Sequence, residues 1–160
     1  MPNRVGLGFD AHAFEKGRRL VLGGVEVPHD RGLAGHSDAD VLVHAIMDAL
    51  LGACGERDIG THFPDTDPAY KDISSIVLLE EVIGLLWEKG FRVVNADCVV
   101  VAQEPRLSPY MDRMQELLAA TMRVDADRVG VKATTTEGMG FTGRGEGIAA
   151  IATVFISKRT

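Results

Sequence analysis

Val5-Gly6-Leu7-Gly8-Phe9 alternates large apolar residues with glycine, and Asp10-Ala11-His12 follows at once. Alternation at period two marks a strand with one buried face. Glycine within it admits a close backbone neighbour. Next, Leu20-Val21-Leu22, Gly23-Gly24 and Val25-Glu26-Val27 read as a tight hairpin, because paired glycines supply the positive φ angles of such a turn. The period then changes. From Val41 the apolar residues Leu42, Ala45, Ile46, Ala49, Leu50 and Ala53 recur at helical spacing, with Ser37 or Asp38 placed to cap the start and Gly55 near the end.

Farther on, a second helix covers about Ser74 to Lys89 with Gly90 as its stop, and a β-rich run spans Phe91 to Ala102. Ser108-Pro109 opens a third helix, Ser as cap and Pro as first residue, to about Met122. Val129 to Thr134 and Ile148 to Ile156 close the chain as strands. This order predicts one α+β domain over residues 1–160, a sandwich with a ferredoxin-like, split βαβ core. Its expected form is a mixed four-stranded sheet plus a small β-hairpin, with the helices on one face. The stretch Glu56 to Asp72 has neither period and holds Pro64 and Pro68, so it is expected to be a lid over a binding site.

A chain of 160 residues buries roughly 70% of its unfolded surface without disulfides or a structural metal, so any metal is expected to be functional. The formal net charge of -6 and the lack of a basic run argue against nucleic acid or an anionic membrane as main partner. Cys54 and Cys98 form no Cys-x-x-Cys pair and read as reduced thiols. Met1-Pro2-Asn3-Arg4 leads into a strand without a signal-peptide core, so a soluble, cytoplasmic protein is expected.

Three constellations carry chemistry. Asp10 and His12 behind a strand, with His44 inside a helix that follows His36-Ser37-Asp38-Ala39-Asp40, offer one carboxylate and two imidazoles. That set suits a catalytic zinc with its fourth position open. His44 shares a helix face with Asp40 and Asp48, and a helical histidine beside apolar neighbours also has a plain packing role, so spacing leaves both readings open. Lys132-Ala133-Thr134-Thr135-Thr136-Glu137 joins hydroxyls, a Lys and a Glu, which suits an anionic oxygen and its accompanying hard cation. A threonine-rich sheet edge is the alternative. Gly138-Met139-Gly140-Phe141-Thr142-Gly143 spells the dinucleotide fingerprint, but a strand follows and the acidic residue about 20 positions on is missing, so that reading is rejected. Arg144 and Glu146 form either an ion pair or a ligand contact.

Taken in order, Gly8 to His12, His36 to Asp40 with His44, Asp58-Ile59-Gly60 with Phe63-Pro64-Asp65-Thr66-Asp67-Pro68, Lys132 to Glu137, and Gly140 to Gly147 resemble the signatures of the 2-C-methyl-D-erythritol 2,4-cyclodiphosphate synthase family. The resemblance runs over nearly the whole chain. It implies a homotrimer with active sites between subunits. The implied reaction converts 4-diphosphocytidyl-2-C-methyl-D-erythritol 2-phosphate to the cyclic diphosphate with release of CMP, in the non-mevalonate route to isoprenoids. It implies one Zn2+ per subunit on Asp10, His12 and His44, and a second cation, Mg2+ or Mn2+, held by Glu137 on the substrate diphosphate.

The same resemblance places His36 and Ser37 at phosphate, with His36, Lys132 and Thr135 near the reacting groups. Asp58, Ile59, Gly60, Phe63 and Asp65 are implied to hold the methylerythritol part. Ala102, Pro105, Arg106 and Leu107, with Ala133, Thr134, Thr135 and Thr136, are implied to surround the cytidine and its phosphates. Phe141, Arg144 and Glu146 would line a cavity on the trimer axis, where an isoprenoid diphosphate effector can bind. Leu7, Arg106 and Gly138-Met139 depart from the family pattern, and none is an implied metal ligand. Two readings from other classes remain: a metal-dependent phosphoesterase, which would activate water, and a non-enzymatic ferredoxin-like sensor of a small anion.

Overall fold

The computed structural model describes residues 3–160, which leaves Met1 and Pro2, and the reading placed on them, outside the described residues. Strand β1 (Asn3–Lys16) is followed by three short strands, β2 (Leu20–Leu22), β3 (Val25–Val27) and β4 (Arg31–Leu33). Helices α1 (Val41–Cys54), α2 (Ile59–His62) and α3 (Ser75–Glu88) lead to β5 (Phe91–Val101). Helix α4 (Met111–Met122), β6 (Val129–Thr134), the single turn α5 (Gly140–Gly143) and β7 (Gly147–Lys158) complete the chain. The main sheet runs β4-β1-β7-β5-β6, with β2 and β3 as a separate hairpin.

Its five strands correct the expected four. Arg31–Leu33 adds to the edge of β1, and three residues are too few to show a period. The sheet is mixed as expected, β5 and β6 being parallel and the other pairs antiparallel. One βαβ unit is split, since β7 lies between β1 and β5. The second departs from the ferredoxin-like expectation: β5 and β6 are neighbours joined through α4, an unsplit parallel crossover.

The alternation in β1 explains how α1 docks. A Cβ at Gly6 would stand 1.8 Å from the Ala49 carbonyl oxygen, and one at Gly8 1.9 Å from that of Ala45. The helix therefore rests on bare strand backbone. Leu42, Ile46, Met47 and Leu50 of α1 are fully buried, each contributing about 1.5–3 kcal/mol of hydrophobic stabilisation. The large residues of β1 point the other way: Val5, Leu7 and Phe9 remain 65%, 69% and 59% exposed. The buried face of the strand is its glycine face, where the backbone of α1 approaches closely.

Capping at α1 also differs from expectation. The cap is Asp40, whose side chain accepts from Val43 N–H, and Gly55 ends the helix at φ 76°. Asp40 is fully buried and also accepts from the Gly23 and Gly24 N–H groups at 2.9 and 2.7 Å. One carboxylate thus ties the hairpin turn to the start of α1. Burial raises its pKa to about 6, helped by the nearby Asp38 and opposed by the three N–H donors.

Residues 56–72 are ordered rather than structureless. Asp58 caps α2, Asp67 caps a 3-10 turn at Pro68–Tyr70, and Asp48 of α1 accepts from Ile59 N–H at 2.9 Å. Ser108 and Pro109 begin a 3-10 turn, so α4 proper starts at Met111. Among the described residues no helix is long and apolar enough to cross a membrane.

Candidate metal centre and the adjoining polar cleft

Asp10 and His12 lie in the middle of β1, not after it, two residues apart and therefore on the glycine face that receives α1. His44, the fourth residue of α1, comes down onto them. His12 Nε2 is 2.8 Å from Asp10 Oδ2, His44 Nδ1 is 3.1 Å from the same oxygen, and the two imidazole nitrogens are 3.1 Å apart. These three residues form the one group of three or more possible metal donors found among the described residues.

Hydrogen bonds behind the rings decide which nitrogen faces inward. His12 Nδ1 is 2.7 Å from the Ala34 carbonyl, which can only accept, so Nδ1–H donates and the Nε2 lone pair points at Asp10. On His44, Nε2 lies 3.0 Å from Ser75 Oγ and 3.1 Å from Ser37 Oγ, leaving Nδ1 inward. Imidazoles held from behind by hydroxyls or carbonyls are the usual support of metal ligands. Three electron-pair donors converging within hydrogen-bond distance repel unless a cation or proton sits among them, so the residues fit a divalent metal. Burial opposes charge on both partners, yet the mutual hydrogen bonds hold the Asp10 carboxyl well below the usual carboxylate range and raise His12.

The donors open onto a cleft of about 370 Å3. His36, Ser37, Ile59, Gly60, Phe63 and Asp65 line it together with Gly35, Met47, Tyr70 and Leu78. His36 Nε2–H donates to the Asp67 carbonyl at 2.9 Å, and Asp72 N–H donates to the His36 carbonyl. The 56–72 segment is thereby fastened to the site. Asp58 does not line the cleft; its carboxylate accepts from Thr61 N–H and Oγ1 as the cap of α2.

A second cleft, about 850 Å3, lies between the loop after β5 and the end of β6. Ala102, Pro105, Arg106 and Leu107 form one wall; Ala133, Thr134, Thr135 and Glu137 form the other. His29, Gln103, Glu104 and Ser108 also reach it. Glu137 adopts φ 54°, a left-handed conformation that is costly for a side-chain-bearing residue and is often retained at ligand sites. Thr136 turns away, its hydroxyl donating to the Met139 carbonyl. Lys132 also lies outside both clefts and pairs with Asp97 across β5 and β6. Phe141 is 42% exposed on α5, and Arg144 pairs with Glu146 at 2.8 Å. Cys98 is buried and its thiol is pushed up to about 12 by that burial, which removes it from reactive chemistry.

Sequence reading missed Tyr70, Met47 and Leu78 because their role comes from packing of distant elements. His29 carried no motif either, whereas Gln103 falls within the Ala102 to Leu107 stretch that the resemblance placed around the cytidine.

Fold and donor set together define an α+β protein with a three-donor pocket suited to a divalent metal and a separate polar cleft. The YgbB family model matches residues 3–157, and the chain belongs to that family. A protein of Syntrophomonas wolfei named 2-C-methyl-D-erythritol 2,4-cyclodiphosphate synthase is 59% identical over 155 residues, covering 97% of this chain and 99% of that protein. One of the same name from Lysinibacillus sphaericus is 54% identical over 98% of this chain and 99% of its own length. Among solved structures, the CDP-bound form of a 2C-methyl-D-erythritol-2,4-cyclodiphosphate synthase superposes at TM-score 0.89 with 37% identity, covering 96% of this chain and 100% of that one. The bifunctional IspDF of Campylobacter jejuni superposes at TM-score 0.95 with 43% identity; 99% of this chain matches 43% of that longer chain.

Proposed function

We propose that this chain closes 4-diphosphocytidyl-2-C-methyl-D-erythritol 2-phosphate into 2-C-methyl-D-erythritol 2,4-cyclodiphosphate, the product that the name of its relatives states, and releases CMP. The observation that carries this is the convergence of Asp10, His12 and His44, lone pairs inward, at the floor of a cleft. The 2-phosphate oxygen forms a bond to the β-phosphorus while the bond to the bridging oxygen breaks, and that oxygen leaves with CMP. The nucleophile is already anionic. No general base is needed, in keeping with a cleft built around donors to a cation.

Zn2+ on Asp10, His12 and His44, and Mg2+ or Mn2+ at Glu137, would supply Lewis-acid stabilisation of the charge on the diphosphate and the departing CMP. The chain's own groups do the positioning. His36 and Ser37 face the 2-phosphate, and Ile59, Gly60, Phe63 and Asp65 hold the methylerythritol chain folded so that its ends meet in line. Such alignment corresponds to an effective molarity on the order of 10⁵ M or more. Thr134, Thr135 and the 102–107 loop, which line the second cleft, would hold the cytidine diphosphate; that a solved relative binds CDP supports a nucleotide ligand for the fold.

The metal cleft and the threonine-lined cleft share no lining residue. One substrate must reach both, which favours a site completed across a subunit boundary. The bare face of the sheet, with Val5, Leu7, Phe9 and Ile151 exposed, offers an apolar surface of the kind that partners cover. A homotrimer with three shared sites satisfies both observations. Phe141, Arg144 and Glu146 would then face the axis and any isoprenoid diphosphate there. Incubation of the chain with the substrate, zinc and magnesium, followed by 31P NMR, tests the reading: CMP and the cyclic diphosphate are expected. Inorganic phosphate or a linear product would replace it with the phosphoesterase alternative.

A further inference from the structure

Ser75 opens α3 and is fully buried, away from the lining of either cleft. Its backbone N–H donates to Asp38 Oδ2 at 3.1 Å and its hydroxyl donates to Asp38 Oδ1 at 2.5 Å. A carboxylate only accepts, so the hydroxyl hydrogen is committed. What Ser75 Oγ presents to His44 Nε2, 3.0 Å away, is a lone pair. His44 must therefore carry its proton on Nε2, which leaves the Nδ1 lone pair directed at Asp10 and His12. Ser37 Oγ, 3.1 Å from the same nitrogen, already takes the Ala39 N–H and shares the imidazole hydrogen without deciding its place.

We propose that Asp38 and Ser75 are positioning residues of the metal centre: the Asp38 carboxylate orients the Ser75 hydroxyl, and the hydroxyl fixes the tautomer and ring plane of His44. This rests on reading Asp10, His12 and His44 as metal donors. Ser74, the residue before α3, makes no side-chain cap bond, so Asp38 also serves as the cap of that helix. The same carboxylate thus locks the N-terminus of α3 to the back of the site. The two residues are 37 positions apart and come together only in the fold.

Two measurements on the full-length, zinc-loaded chain test the relay without recourse to turnover. In 15N NMR, the wild type is expected to show a protonated His44 Nε2 with slow hydrogen exchange and a metal-bound Nδ1. In competition against a chromophoric chelator, Ser75→Ala is expected to bind zinc about 10–100-fold more weakly and to exchange the Nε2 hydrogen faster. Asp38→Asn, which leaves the serine hydroxyl free to turn, is expected to lose affinity in the same direction. Folded Ser75→Ala with wild-type zinc affinity would overturn the relay while leaving the metal centre intact. A wild-type spectrum with Nε2 bound and Nδ1 protonated would overturn it whether or not the variants fold. A wild type that takes up no zinc would overturn the relay and the metal reading together.

Discussion

Replacing Gly8 with Ala tests the link between the alternating strand and the metal centre. The added Cβ would lie 1.9 Å from the Ala45 carbonyl oxygen, 2.8 Å from Ala49 N and 2.9 Å from the Ala45 carbonyl carbon, all main-chain atoms of α1. Carbon–oxygen contacts settle near 3.3 Å, so the helix must retreat by roughly 1.4 Å at that point. No side chain can turn aside to absorb the strain. Overpacking of this kind costs about 1–3 kcal/mol, which lowers Tm by about 2–4 °C per kcal/mol at this chain length. The displaced stretch adjoins His44, and Gly8 is two residues from Asp10. Metal–ligand distances tolerate only about 0.2 Å, so the same change should weaken zinc binding by a factor on the order of 10–100.

Thermal unfolding followed by circular dichroism, with zinc competition titration on the same samples, reads both effects. Gly52→Ala is the control, because it changes a glycine in the same helix where a Cβ meets nothing within 4 Å. It should hold zinc normally and gain about 0.5–1 kcal/mol from helix propensity. A Gly8→Ala chain with wild-type Tm and zinc affinity would refute the claim that strand backbone sets the position of His44.

His44→Ala should lose zinc and turnover together, and full zinc stoichiometry by elemental analysis would remove His44 from the ligand set. Asp65→Ala should depress turnover while zinc content stays intact, since Asp65 lines the cleft without touching the donor triad; unchanged turnover would deny the 56–72 segment its role in closing the substrate. For Asp40, a folded pKa near 6 against 3.8 means that the folded chain keeps its proton where the unfolded chain has lost it. Its contribution to stability is present below about pH 4 and is lost as pH rises toward 6, by ~3 kcal/mol. Denaturant titrations of wild type and Asp40→Asn should diverge by that amount across the window, and a constant difference would contradict the shift. Arg144→Ala should leave the monomer fold alone, because the exposed Arg144–Glu146 pair contributes under about 1 kcal/mol, but should lower trimer mass or effector response in analytical ultracentrifugation. No change in either would end its axial role.

Much of the fold was legible where a period was long enough to read: α1, α3 and β5 stand where helical spacing and the β-rich run put them, and β1 runs on past its alternating start to Lys16. Three-residue β4 and the single turn α5 carry too few residues for any period. The outward turn of Val5, Leu7 and Phe9 was hidden because the rule of apolar residues facing inward fails when a helix needs bare backbone to rest on. For the site, Asp10, His12 and His44 could be proposed from residue type and spacing, and the fold unites them. Ser75 and Asp38 could not, since they meet across 37 positions, nor could the bonds of Asp40 to Gly23 and Gly24, although its cap bond to Val43 N–H is local. Asp58 had a local signal, a carboxylate three residues before the N–H it accepts, but that signal announced a helix cap.

The central claim is that a substrate phosphate oxygen, not water, attacks the β-phosphorus in the cleft above Asp10, His12 and His44. Turnover in H2 18O followed by mass spectrometry of both products tests it. No solvent oxygen is expected in CMP or in the cyclic diphosphate. One 18O in either product would mean an activated water and would contradict the claim.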